Sequence, residues 1–142
     1  MCRRVHAPFL VVGFCLIALA GPAVAQDKEQ SPFAGKYSGE WTFKSSNALF
    51  PNNQRGNITL SVAASGRVTG TLENTTFGSK AVVKGFVDED GGLDVTYEFP
   101  DQSYTLKGTV NKTKQGGLRG TVGAYSGKDN PVGTVELDLP PK

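Results

Sequence analysis

Cysteine, histidine and methionine are almost missing from this chain. Its 142 residues hold two, one and one of them, and all four (Met1, Cys2, His6 and Cys15) fall in an opening stretch that reads as an export signal. Arg3 and Arg4 precede the apolar run "FLVVGFCLIALA", followed by Gly21, Pro22 and an "AVA" that ends at Ala25. A charged region, a short apolar core and a small-residue site define a secretory signal peptide over residues 1–25, with cleavage expected after Ala25. The 12 apolar residues span about 18 Å as a helix, against about 30 Å of bilayer hydrocarbon. No stable membrane insertion is therefore expected after cleavage.

These absences exclude whole classes of chemistry. Removing 25 of 142 residues leaves 117, none of them His or Cys. Such a chain builds neither a Ser-His nor a Cys-His nucleophile, and no imidazole or thiolate metal site. Without a disulfide, an exported domain has to be held by packing, which this length allows as one domain. Secretion without cysteine points to a bacterial periplasmic or extracellular protein. Arg3 and Arg4 leave with the signal, so the 15 basic residues fall to 13 against 13 acidic ones. That balance provides no basic footprint for nucleic acid or an anionic membrane.

Carboxylate chemistry remains, but Glu40, Asp94, Glu98, Glu136 and Asp138 fall on outward-facing positions, and Asp88, Glu89, Asp90, Asp101 and Asp129 in turns. Solvated acids lack the environment that sets an acid apart from a base. The chain is therefore read as non-enzymatic, with no cofactor and no metal. "DEDGGLD", Asp88 to Asp94, lacks EF-hand spacing and reads as a hairpin turn.

What the chain does contain is alternation. After a polar leader, residues 26–35, the period is two throughout residues 36–142, and no window carries a helical stripe. Tyr37, Gly39, Trp41 and Phe43 share a face; so do Ile58, Leu60 and Val62, then Val68, Gly70 and Leu72, then Ala81, Val83, Gly85 and Val87. Leu93, Val95, Tyr97 and Phe99 follow, then Tyr104, Leu106, Gly108 and Val110, then Leu118, Gly120, Val122 and Ala124, and finally Val135, Leu137 and Leu139. About eight strands with short links predict an all-β fold: a single antiparallel up-and-down meander closing into a small barrel, with a two-sheet sandwich as the alternative. A turn at Pro100 and Asp101 sets Tyr97 opposite Tyr104, Leu93 opposite Gly108 and Asp94 opposite Lys107. Pairing Val110 with Leu118 across the next loop sets Gly108 opposite Gly120.

Glycine inside a strand packs nothing, so its recurrence here needs a reason. Inward glycines allow a closing barrel to coil tightly, the space being filled by a ring such as Trp41. Alternatively the space is a cavity, occupied by a small apolar or planar ligand against Tyr37, Trp41, Tyr97 and Tyr104. Val82 and Phe86 lie on the outward phase of their strand, and Tyr125 is out of phase at the end of the seventh. Either a bulge at Gly85 buries the first two, or they form an apolar patch for docking or self-association.

"GEW", Gly39 to Trp41, on the first strand of an expected eight-stranded barrel, resembles the G-x-W of the calycin superfamily. "NITLSVAASGRVTGTL" from Asn57 resembles the second and third strands of avidin-like proteins. The resemblance covers roughly 35 residues and implies a barrel with a ligand site at its open end. The biotin site is not carried over, because one Trp cannot line it as the several of biotin binders do. Two functions stay open. One is an exported binding protein holding a small apolar ligand in or at the mouth of the barrel. The other is a structural or protein-interaction module, such as an envelope component or an inhibitor, acting through its outer face or the loop at residues 44–56.

Overall fold

The computed structural model describes residues 29–46, 48–127 and 129–142. The expected signal peptide and positions 26–28 of the leader lie outside them. Among the described residues every regular element is a strand: β1 (Gly35–Ser45), β2 (Gln54–Val62), β3 (Arg67–Asn74), β4 (Ser79–Val87), β5 (Gly92–Glu98), β6 (Ser103–Lys112), β7 (Leu118–Ser126) and β8 (Asn130–Leu139). Each pairs antiparallel with the next, and β1 pairs with β8 from Glu40–Asp138 to Ser45–Gly133. The meander closes into a barrel, and the sandwich alternative is set aside. Closure leaves no open edge for another chain to extend.

The alternation dictates the core. Ile58, Leu60, Val68, Val83, Val95 and Leu106 all point inward and are almost wholly buried, each such side chain contributing about 1.5–3 kcal/mol relative to exposure. The β5–β6 register follows the sequence: Tyr97 pairs with Tyr104, Leu93 with Gly108 and Asp94 with Lys107. The β6–β7 register differs from expectation by two residues. β6 runs on to Lys112, which pairs with Leu118, so Gly120 faces Val110 and Gly108 faces Val122. The two glycines do not share one gap. A methyl at Gly108 would sit 2.9 Å from the Val122 Cα, and one at Gly120 would sit 2.6 Å from the Thr109 carbonyl oxygen. The missing side chains are needed where strand backbones close on one another.

Two further expectations are corrected. The loop read as residues 44–56 is shorter, because Lys44 and Ser45 extend β1 while Gln54, Arg55 and Gly56 open β2. No register shift occurs in β4; the one between β7 and β8 falls at Ala124 and Tyr125, which pair with Gly133 and Pro131 and leave Val132 of β8 as the extra residue. Val82 and Phe86 accordingly stay outside, 50% and 49% exposed, while the Tyr125 ring lies against the outer face of Gly123.

The two ends of the barrel differ. At one end the three hairpins β2–β3, β4–β5 and β6–β7 turn through Gly66, Gly91 and Gly116, whose φ angles of 84°, 87° and 85° are readily adopted only by glycine. In the middle hairpin the Asp88 carboxylate accepts the N–H groups of Asp90 and Gly92 at 3.0 and 2.7 Å, which uses the acid to build the turn. The leader crosses this end. Phe33 is buried, its ring against Gly91. Its carbonyl accepts the Tyr37 hydroxyl at 2.6 Å, Ser31 N–H donates to Ala64 O at 2.8 Å, and Lys112 Nζ donates to Pro32 O at 2.8 Å. This end is stoppered.

Candidate functional site: the open end of the barrel

At the opposite end, ringed by the loop at 46–53 and the turns at 75–78 and 99–102, lies a cavity of about 490 Å³. Trp41, Tyr97 and Tyr104 line it. Tyr37 does not. Four residues along β1 from Trp41, or about 13 Å of strand, Tyr37 belongs to the stoppered end, 1% exposed and bonded to Phe33. It is removed from the set of candidate ligand contacts. The loops add lining residues that alternation does not reveal: Phe50 and Pro51, Phe77, and Asn74 at the end of β3.

Gly56 positions the tryptophan. Trp41 on β1 pairs with Gly56 on β2, which pairs with Asn74 on β3. The indole reaches over the bare Gly56 backbone, and its Nε1 donates to the Glu73 carbonyl at 3.1 Å. The ring is held across three strands with its polar edge satisfied. Nearby, Asn74 is buried, and its amide is bonded at both the nitrogen and the oxygen. Its Nδ2 donates to Gln54 Oε1 at 2.9 Å, and its Oδ1 accepts the N–H groups of Thr76 and Phe77, which fixes the β3–β4 turn below Phe77. An amide sealed this way stabilises the rim.

The β5–β6 hairpin supplies the other wall. Tyr97 and Tyr104, directly opposite in register, stack with centroids 5.3 Å apart and planes 17° from parallel. Phe99 meets each edge-on, at 5.8 and 6.3 Å. Offset stacks and edge contacts are the arrangements that aromatic quadrupoles prefer. Neither phenol hydroxyl has a hydrogen-bond partner among the described residues. Burial, and then the neighbouring Tyr104 phenol, raise the Tyr97 pKa well above its ordinary value of 10.0; burial alone raises that of Tyr104. Both groups therefore face the cavity as neutral donors.

These shifts fix the sign of an alkaline effect. A phenol with a raised folded-state pKa contributes stability that is whole below the unfolded value and is lost as pH climbs through the folded one. Stability should start to fall as pH passes 10.0. Denaturant midpoints taken on both sides of that pH check this, and Tyr97→Phe should show a shallower decline.

Set against known proteins, the chain matches no family model, no curated protein and no solved structure.

Proposed function

We propose that this protein is an exported, non-enzymatic barrel, periplasmic or extracellular, that binds a small, largely apolar ligand at its open mouth. The observation that carries this is the cavity between Trp41 and the Tyr97–Tyr104 stack, whose walls are mostly apolar and whose phenol hydroxyls lack partners among the described residues. Its volume of about 490 Å³ suits a small molecule, and two unpartnered donors amid apolar rings give such a ligand an orientation. A site at the open end is also what the resemblance to calycin and avidin-like barrels implies.

Trp41 is the one tryptophan of the chain, so its emission reports on the mouth alone. Titration with N-phenylnaphthylamine, a neutral apolar probe, should quench Trp41 saturably and raise the melting temperature, since a ligand of the folded state stabilises it. Tyr104→Ala should weaken both responses. Unaltered emission and melting across a panel of apolar probes would reject the reading.

One observation favours the interaction-module alternative: Val82 and Phe86 stand exposed on the same outward row of β4. In that case light scattering should give a size that grows with protein concentration, and Phe86→Lys should abolish the growth.

A further inference from the structure

Resting on the binding reading above, the lining composition narrows the ligand's class. Seven lining residues are aromatic, and among the described residues Asp101 is the one charged residue that lines the cavity. It stands at the turn of the hairpin that carries Tyr97, Phe99 and Tyr104, exposed and in no ion pair among the described residues. No Lys or Arg lines the cavity among the described residues. Lysines on strands of this end are committed outside it: Lys44 Nζ lies 2.6 Å from the Glu136 carboxylate, and Lys80 Nζ lies 3.6 Å from that of Glu73.

An anionic ligand would find no countercharge among the described lining residues and would be repelled by Asp101. A neutral apolar ligand would leave that carboxylate unused. A cation fits both features, because the faces of aromatic rings carry the negative end of a quadrupole, and a carboxylate at the rim adds attraction of the same sign. We infer that the mouth selects organic cations whose charge is spread over an apolar surface, quaternary ammonium groups foremost. The neutral phenols of Tyr97 and Tyr104 fit this role, donating to a hydroxyl or ether oxygen elsewhere on the same ligand.

The test compares three compounds of nearly equal shape: choline, its uncharged carbon isostere dimethylbutanol, and the anion dimethylbutanoate, each followed by Trp41 emission and melting temperature. Choline should bind more tightly than dimethylbutanol by at least about fivefold, and dimethylbutanoate more weakly than either. Asp101→Asn should weaken choline about threefold and leave dimethylbutanol unchanged, and Asp101→Lys should weaken choline further. Because Asp101 is exposed at a turn, circular dichroism and melting of the free variants will show whether they fold as the parent does. Dimethylbutanol or N-phenylnaphthylamine bound with no preference for choline would overturn the cation inference while leaving a ligand site in place. No binding of any probe would overturn both.

Discussion

Gly56→Ala is expected to destabilise the fold by about 3 kcal/mol and to shift the emission of Trp41. The new methyl would overlap the Glu73 carbonyl oxygen and lie 2.9 Å from Trp41 Nε1. These are the two atoms that share the indole's hydrogen bond. Backbone carbonyls in a closed sheet have little freedom to retreat, so either β3 shifts or the indole swings off its acceptor. The first outcome is overpacking, at about 1–3 kcal/mol; the second adds the loss of a buried hydrogen bond at about 1 kcal/mol. Gly78→Ala separates this effect from backbone conformation. There a methyl meets nothing within 4 Å, and the φ of 66° is the only penalty, so about 1 kcal/mol is expected. Urea denaturation of the two variants decides the matter. Equal losses would mean that space around Gly56 is not the constraint. A Gly56→Ala variant with parental emission would mean that the indole is not held through this contact.

The same contact shows how far the sequence can be read. Alternation assigns each residue to a face, and the faces hold along the strands except in β8, where the register shift buries Val132 out of phase with Val135, Leu137 and Leu139. It does not assign height along the barrel axis, so Tyr37 and Trp41 share a face yet serve opposite ends. Nor does it resolve a shift by an even number of residues. In "NKTKQGG", Asn111 and Lys112 are as acceptable on an exposed strand face as in a loop, and β6 runs two residues further than a turn-centred reading allows. The β5–β6 register was legible because Pro100 and Asp101 mark its turn on both sides. Closure itself leaves no local trace, since β1 and β8 are far apart in the chain and either strand would alternate in the same way at an open edge. The mouth was half legible. Trp41, Tyr97 and Tyr104 stand on regular strands, whereas Phe50 and Phe77 sit in loops whose path no periodicity describes.

Phe33 is the clearest case of a structural residue without a sequence signal, and Phe33→Ala is expected to destabilise the protein by about 3–5 kcal/mol. The residue follows the polar run "QDKEQSP" with no alternating partner, yet it is 6% exposed and belongs to the core. Its ring lies against Gly91, while its carbonyl accepts the Tyr37 hydroxyl. Truncation opens a hole at the stoppered end that the rigid turns at Gly66, Gly91 and Gly116 cannot collapse to fill, which places the loss toward the upper part of that range. Tyr37→Phe removes only the hydrogen bond, at about 1 kcal/mol. Phe33→Ala keeps the backbone carbonyl that accepts this bond, so the double variant should lose less than the sum of the single ones because truncation lets the leader draw away from Tyr37. Additive losses in urea denaturation would separate Phe33 from Tyr37 and dissolve the stopper as a unit. The mouth lies at the other end of the barrel, so in variants that remain folded the response of Trp41 to N-phenylnaphthylamine should be unchanged. A weakened response in Phe33→Ala would show instead that the barrel's two ends are energetically coupled through the column of buried side chains between them.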